Sequence, residues 1–176
     1  MPCATPLEIA VLTVSDTRTA ASDRSGKYLA DALTEAGHRL HDHAIVRDNI
    51  YQIRATVSAW IADPVVDVIL LTGGTGLAER DRTPEAVAPL LDKRIDGFGE
   101  LFRQLSHAEI GASTVQSRAL AGLANRTLIC CLPGSPGACN TAWEGILRTQ
   151  MDSTYRPCNF VVALGGEADP EDLIYD

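Results

Sequence analysis

Two glycine-rich loops are the first candidates for chemistry in this sequence. One reads TGGTG at residues 72–76, and the other reads PGSPG at residues 133–137. Glycines let the backbone approach a ligand closely and direct its N–H groups at an anion, and the second loop precedes a predicted helix whose N-terminus favours negative charge. The alternative is a plain turn between strand and helix, but two such loops in one chain favour phosphate binding. The candidate residues are Gly73, Gly74, Thr75, Gly76, Pro133, Gly134 and Ser135.

Aspartates accompany these loops. Asp48 follows a predicted strand, and Asp81 follows the first glycine-rich loop. Proteins commonly hold Mg²⁺ with one or two carboxylates together with phosphate oxygens, so one interpretation makes both aspartates Mg²⁺ ligands beside bound phosphates. The alternative is that Asp48 caps the following helix and that Asp81 pairs with Arg80 or Arg82. Asp16, after the first predicted strand, is a further candidate for the site; the alternative is that Ser15 and Asp16 simply form a turn.

Short apolar runs alternate along the chain with segments of helical periodicity. The pattern predicts strands at Glu8–Val14, Arg39–Val46 and residues 67–72, a hairpin of residues 119–123 with 127–131, and a last extended segment at residues 157–164. It predicts helices at residues 25–36, 49–62, 83–91, 97–108 and 137–151. Asn49 and Thr83 are the expected caps of two of these helices, and Pro84 suits the first helical position. Residues 111–118 fit no pattern clearly.

Strands separated by helices indicate βαβ units with right-handed crossovers. The expected fold class is therefore α/β, a three-layer α/β/α sandwich with a mostly parallel sheet and one antiparallel strand from the hairpin. Ligands of such sheets bind outside the carboxyl ends of the strands. Loops at that edge contribute further candidates. These are Ser15, Asp16, Asp48, Asp81, Thr83 and Pro84.

The net charge of −8, from 15 Lys and Arg against 23 Asp and Glu, argues against several classes of partner. A protein that grips nucleic acid needs a basic field, and a polybasic membrane-surface protein is also disfavoured. No apolar run reaches the roughly 18 residues of a membrane span. A chain of 176 residues has the length of one domain. We expect that domain at residues 1–164.

Residues 165–176 carry five of the eight excess negative charges and no basic residue. An acidic end punctuated by glycine and proline predicts a solvated tail. The alternative is an ordered segment that docks on a neighbouring subunit through Leu173, Ile174 and Tyr175.

The cysteines and histidines give no metal-site pattern. Five cysteines form no CxxC spacing, and Cys130 and Cys131 lie in an apolar run, where free cysteine behaves as a small hydrophobe. His38, His41 and His43 lie in or near the second predicted strand, but nothing else in the pattern supplies ligands. The N-terminus does not resemble a signal peptide, so we expect the protein in the reducing cytoplasm.

Several motifs together resemble a known family. TVSDT, AIVRDN, VSAWIA, TGGTGLAERDRTPEA, GFGELFRQLS, SRALAG, LPGSPGACNTAWEGI and RPCNF occur in order between about residues 9 and 160. This set is similar to that of the molybdenum cofactor biosynthesis protein B family. That family is close to the molybdopterin adenylyltransferases and to the pterin-binding domains of gephyrin-type proteins.

The resemblance implies an α/β/α fold, molybdopterin binding and assembly into homotrimers or homohexamers. It implies that the family's catalytic aspartates correspond to Asp48 and Asp81, with the glycine loop and the 133–135 loop at the phosphates. It also implies pterin-side roles for Ser106 and Ser117. Other proteins of the cofactor pathway are further expected partners.

In catalytic relatives, molybdopterin and Mg-ATP give adenylylated molybdopterin and pyrophosphate. The resemblance therefore implies an adenylyltransferase with Mg²⁺ and ATP as cofactor and co-substrate. The alternative is a pterin-binding or scaffold protein of the same pathway without catalysis. Both hypotheses predict the same pterin pocket.

Overall fold

The computed structural model describes residues 5–165 of the chain, and within them one six-stranded sheet forms. The strands are β1 Glu8–Val14, β2 Arg39–Val46, β3 Val68–Thr72, β4 Lys93–Arg94, β5 Leu120–Ala124 and β6 Thr127–Leu132. Their spatial order is β2-β1-β3-β6-β5-β4. The pairs β2–β1, β1–β3 and β3–β6 are parallel, whereas β5 is antiparallel to both β6 and β4. The predicted sheet, with one antiparallel strand, is confirmed.

Helices connect the strands. They are α1 Arg24–Glu35, α2 Ile50–Ala62, α3 Thr83–Val87, α4 Asp96–Ile110, α5 Pro136–Ala142, α6 Arg148–Gln150 and α7 Phe160–Ala163. Ala88–Leu90 and Gly111–Gln116 are 3₁₀ turns, and Trp143–Leu147 is a π-helical segment that joins α5 to α6. The residues of uncertain pattern therefore continue α4 as a tight helical turn.

Side-chain alternation along the parallel strands divides the core into two layers. Ile9 and Val11 of β1 point to one side, where α1, α4 and α5 pack. Ala10 and Leu12 point to the other side, where α2 and α3 pack. Because both faces are covered, β1, β3 and β6 are almost entirely buried. This arrangement is the predicted α/β/α sandwich.

The hairpin between β5 and β6 turns at Asn125 and Arg126. Both residues have positive φ, 47° and 68°, the conformation that a two-residue hairpin connection requires and that asparagine tolerates well. The turn lies at the edge opposite the glycine-rich loops, since β5 runs against its parallel neighbours. It reverses the chain so that β6 can join β3 in parallel.

Two expectations about local structure are wrong. Residues 157–164 are not extended, because Phe160–Ala163 forms a short helix whose start is capped by the Asn159 side chain accepting from the Val162 N–H. Thr83 does not cap α3: its hydroxyl donates to the Gly73 carbonyl at 2.8 Å instead. By contrast, Asn49 caps α2 as predicted, accepting from the N–H groups of Tyr51 and Gln52.

Except for Gly165, the predicted acidic tail lies outside the described residues. Within residues 5–165, no helix combines the length and the apolar character that crossing a membrane requires.

Candidate functional site

A cleft of about 590 Å³ opens at the carboxyl edge of the parallel strands. Its walls come from the segments that follow β1, β2, β3 and β6 and from the C-terminal half of α4 with the turn after it. Except for Thr83 and Pro84, all the predicted site residues line it. They are Ser15, Asp16, Asp48, Gly73, Gly74, Thr75, Gly76, Asp81, Ser106, Ser117, Pro133, Gly134 and Ser135.

The first glycine-rich loop follows β3 and has a backbone that only glycine adopts readily. Gly73 and Gly74 have φ of 106° and 66°. A Cβ on Gly73 would overlap the Val14 carbonyl, and one on Gly74 would overlap the Thr83 hydroxyl. Thr83 is therefore a buried support of the loop rather than part of the cleft wall, and Pro84 is buried beside it.

Asp48 lies against this loop. Its carboxylate accepts a hydrogen bond from the Arg82 N–H at 3.1 Å, and a Cβ on Gly74 would stand 2.9 Å from Oδ2. The Asp48 N–H in turn donates to the Asp16 carboxylate at 3.2 Å. Partial burial raises the pKa of Asp48; the Arg82 N–H opposes the rise, and the charges of Asp81 and Asp16 add to it. A cation in the cleft would relieve this concentration of negative charge.

Asp81 lies at the far end of the same loop. Its Oδ2 accepts from the Ala78 N–H at 2.9 Å and would stand 2.6 Å from a Cβ on Gly76. The structure does not show the alternative roles of the two aspartates, a helix cap for Asp48 and an arginine pair for Asp81. Asn49, not Asp48, caps α2, and a main-chain N–H, not an arginine, satisfies the Asp81 carboxylate.

The side chains of the cleft could supply only some of the ligands of a Mg²⁺ ion. Within residues 5–165, no group of three or more His, Cys, Asp or Glu side chains is placed to hold a metal. Asp48 and Asp81 supply two carboxylates on one cleft, which matches a magnesium ion that takes its other ligands from phosphates and water. The histidines of β2 diverge, since His41 faces Asp63 and His43 faces Asp23.

The second loop, between β6 and α5, is hydrogen-bonded to the first. The Thr72 hydroxyl donates to the Pro133 carbonyl at 2.9 Å, and a Cβ on Gly134 would stand 3.2 Å from the Gly73 Cα. Ser135 caps α5 by accepting from the Ala138 N–H. The two loops thus form one continuous rim with few side chains, where main-chain N–H groups can reach an anion.

The opposite wall comes from α4 and the turn that follows it. Ser106 is buried at 6% exposure, and Phe102 and Ile110 on the same helix also line the cleft. Ser117 lies at the end of the 3₁₀ turn, where its carbonyl accepts from Arg103. This wall mixes apolar carbons with hydroxyl groups, which suits a flat heterocycle with polar edges.

Comparison with known proteins shows which family the chain resembles. Residues 10–153 match a family model described as a probable molybdopterin binding domain. Molybdenum cofactor biosynthesis protein B of Escherichia coli (strain K12) is 59% identical over 155 residues, covering 88% of this chain and 91% of that protein. A crystal structure of molybdenum cofactor biosynthesis protein B is 42% identical with a TM-score of 0.81, over 84% of this chain and 92% of that one.

The chain belongs to the molybdenum cofactor biosynthesis protein B family. This confirms the resemblance drawn from the motifs. A tungsten cofactor synthesizing protein from Pyrococcus furiosus has the same fold, with 34% identity and a TM-score of 0.73 over 80% of this chain and 90% of that one. Membership in the protein B family supports molybdenum cofactor biosynthesis as the process and molybdopterin as the ligand.

Three arginines on the cleft wall of this protein B family member were not predicted as site residues from the sequence. Arg18, Arg24 and Arg80 line the cleft and add positive charge that anionic ligands need. No local pattern marks them, because they come from two distant segments and each follows an ordinary turn sequence.

A buried aspartate at the start of α1 was also missed. Asp23 is 4% exposed and lines the cleft. It accepts from the Thr13 hydroxyl at 2.6 Å and from the Gly26 N–H at 2.9 Å, and it lies 3.0 Å from the His43 ring nitrogen. Asp23 followed by a helical pattern was an available capping signal, but its contact with His43 depends on the pairing of β1 with β2.

Proposed function

We propose that the protein binds molybdopterin in this cleft and adenylylates it with Mg-ATP, releasing pyrophosphate. The observation that carries the proposal is the meeting of two carboxylates, a glycine-rich rim and a hydroxyl-lined wall around one cleft. These are the groups that phosphates, a magnesium ion and a pterin ring require. The family model supports the pterin ligand.

The proposed reaction joins two anions. A terminal phosphate oxygen of molybdopterin forms a bond to the α-phosphorus of ATP, and the bond from that phosphorus to the bridging oxygen of the β-phosphate breaks. The electron pair leaves with pyrophosphate. Since the attacking phosphate is already ionised near pH 7, no side chain has to remove a proton from it.

The work of this chain is alignment and neutralisation of charge. Asp48 and Asp81 would hold Mg²⁺, which neutralises phosphate charge when it is bound. Arg18, Arg24 and Arg80 place positive charge on the same wall. The N–H groups of the glycine-rich rim supply fixed dipoles close to the ligand.

Product analysis tests the proposal. The protein is mixed with molybdopterin and Mg-ATP, and the products are identified by mass spectrometry, with EDTA in place of Mg²⁺ as control. We expect adenylylated molybdopterin and pyrophosphate in equal amounts, and neither with EDTA. Bound pterin without product, in the presence of Mg-ATP, would contradict catalysis and favour the alternative function.

Asp81→Asn is the sharpest variant for the mechanism. It keeps an oxygen for the Ala78 N–H but removes the charge, so turnover is expected to fall about 10²-fold or more while pterin binding persists. Asp31→Asn is the matched control, because Asp31 pairs with Lys27 on the exposed face of α1. Unchanged turnover in Asp81→Asn would remove this carboxylate from the mechanism.

The alternative is a protein of the same pathway that binds molybdopterin without transferring a nucleotide. The hydroxyl-lined wall of the cleft suits pterin binding whether or not a nucleotide is transferred. Equilibrium titration with Mg-ATP separates the two functions. Pterin binding without any Mg-ATP binding would favour the scaffold.

A further inference from the structure

Arg118 ties together the segment that carries Asp81. Its Nε donates to the Gly76 carbonyl at 2.9 Å, and Nη2 donates to the Asp81 carbonyl at 2.7 Å. Its third nitrogen, Nη1, pairs with the Glu85 carboxylate, and its own N–H donates to the Thr75 carbonyl at 3.2 Å. The side chain therefore holds both ends of the loop between Gly76 and Asp81.

Between its ends, at residues 77–80, the loop forms hydrogen bonds within the described residues only to its own neighbours, residues 78–82. Just beyond the loop, the Arg82 N–H donates to the Asp48 carboxylate at 3.1 Å. Leu77 is 68% exposed, and the hydrogen bonds of Ala78 are made to Asp81 within the loop itself. Arg80 and Asp81 on this loop line the cleft. The position of these two charges relative to the glycine-rich rim therefore depends on what holds the ends of the loop.

Arg118 also links the two walls of the cleft. It directly follows Ser117, which lines the wall opposite Asp81. Partial burial is the largest single influence on the pKa of Glu85 and acts to raise it. The hydrogen bond and charge of Arg118, the main-chain N–H of Glu85 and the charge of Arg82 together outweigh burial and hold that pKa below its usual value. The guanidinium thus has a charged partner on α3 and two carbonyl partners on the loop, which is a fork of donors that lysine cannot reproduce.

We propose that Arg118 is a positioning residue that fixes Asp81 for binding of the magnesium–nucleotide complex. It is not among the residues that line the cleft, and it acts through the main chain of the loop. The proposal rests on the proposed function, because it assigns Asp81 to Mg²⁺. Groups that orient a metal ligand commonly contribute 10- to 100-fold to metal affinity or activity.

Arg54 provides a matched control. It is also half-buried, and it donates to the main-chain carbonyls of Ala86 at 3.1 Å and Glu85 at 2.9 Å in α3. Its bonds are therefore of the same kind as those of Arg118, but they do not reach the loop. Arg118→Lys and Arg54→Lys keep the charge and remove the fork in each case.

Hydrogen exchange of the free proteins tests the tether without any activity. In Arg118→Lys, amides of residues 76–82 are expected to exchange about tenfold faster than in the wild type, because the loop opens more often. In Arg54→Lys they are expected to exchange at the wild-type rate. Equal exchange of this segment in wild type and Arg118→Lys would overturn the proposal.

The Mg²⁺ dependence of adenylyl transfer tests the positioning role. Arg118→Lys is expected to need about tenfold more Mg²⁺ for half-maximal turnover, whereas Arg54→Lys keeps the wild-type value. A variant that is merely less stable would lose active protein without this shift. A lower turnover at an unchanged Mg²⁺ requirement would therefore overturn the positioning role.

Failure of the proposed function is visible separately. A wild-type protein that forms no adenylylated product with Mg-ATP fails the proposed function, whatever Arg118 does. In that case exchange at residues 76–82 still decides whether Arg118 holds the loop, and Mg²⁺ protection of the segment replaces turnover as the readout. Protection by Mg²⁺ in the wild type but not in Arg118→Lys supports the proposal, and equal protection in both overturns it.

Discussion

Asp48 carries its negative charge where the fold opposes it. Partial burial raises its pKa, and the nearby carboxylates of Asp81 and Asp16 add to the effect of burial. A group whose pKa is higher in the folded state than in the unfolded state favours folding when protonated, and this contribution is lost as the pH rises through the folded pKa. At neutral pH the ionised Asp48 therefore costs stability, which is a common property of ligand-binding carboxylates.

Asp48→Asn is therefore expected to stabilise the free protein at pH 7 while weakening Mg-ATP binding. The amide keeps an oxygen for the Arg82 N–H, and the gain is below about 1 kcal/mol, because solvent screens a half-exposed group. Urea unfolding at a series of pH values measures it. The gain should shrink as the pH falls through the raised pKa of Asp48, because the wild-type carboxyl is then protonated as well.

Added Mg-ATP should reverse the order, because the wild type then gains binding free energy that Asp48→Asn lacks. A free Asp48→Asn protein less stable than wild type at pH 7 would show that the charge is structural rather than reserved for a ligand.

The residue types of the site were predictable, but their contacts were not. The glycines at 73 and 74 indicated a backbone that other groups approach closely, and the structure shows Val14 and Thr83 packed against them. The capping role predicted for Thr83 is wrong, because a threonine before Pro84 fits the capping pattern in sequence even when its hydroxyl bonds elsewhere, here to the Gly73 carbonyl. Arg118 lies far along the chain from the loop that it holds, and no local spacing reports such a contact.

At the scale of elements, the start of α1 shows how one helix terminus supports the cleft. Asp23 caps the helix through the Gly26 N–H, and the same carboxylate holds Thr13 at the end of β1 and meets His43 of β2. The Ser25 hydroxyl donates to the Gly134 carbonyl at 3.0 Å. A single helix start thus connects β1, β2 and the second loop.

Asp23→Ala is expected to cost about 3 kcal/mol of unfolding free energy, because it removes a cap and leaves the buried Thr13 hydroxyl and the partly buried His43 ring without this partner. The matched control is Asn49→Ala at the exposed start of α2, where only a cap is lost and about 1 kcal/mol is expected. Urea unfolding of both variants checks the difference. Equal losses would show that the network around Asp23 adds nothing beyond capping.

Strongly patterned elements were predictable, and weakly patterned ones were not. β1, β3 and β6 are apolar runs because helices cover both faces of the sheet. β4 has only Lys93 and Arg94, and two exposed polar residues give no strand signal. The residues of α7 include two adjacent valines, which favour strands, so only the capping contact of Asn159 marks them as helical.

At the scale of the whole molecule, the distribution of charge matters more than its total of −8. Asp16, Asp23, Asp48 and Asp81 line the cleft together with three arginines. Such a mixed lining does not attract anions by a broad positive field, so binding of phosphates there would depend on a cation that joins the ligand to the carboxylates. The charge excess itself lies mostly at the chain's C-terminal end, in residues 165–176.

Removal of residues 165–176 separates the two accounts of that acidic segment. If it is a solvated tail, the shortened protein should keep its pterin affinity within about twofold at physiological salt, because charges farther than roughly 8 Å are screened. Its isoelectric point should rise from about 4.9, since five acidic residues and no basic ones are lost. Light scattering should give the same mass class for both forms, and we expect a homotrimer or homohexamer of the 18.8 kDa chain.

A shortened protein that dissociates or loses pterin would instead make the segment a structural arm that docks through Leu173, Ile174 and Tyr175. Replacing those three residues by serine in the full chain would then reproduce the loss while leaving all five acidic charges in place.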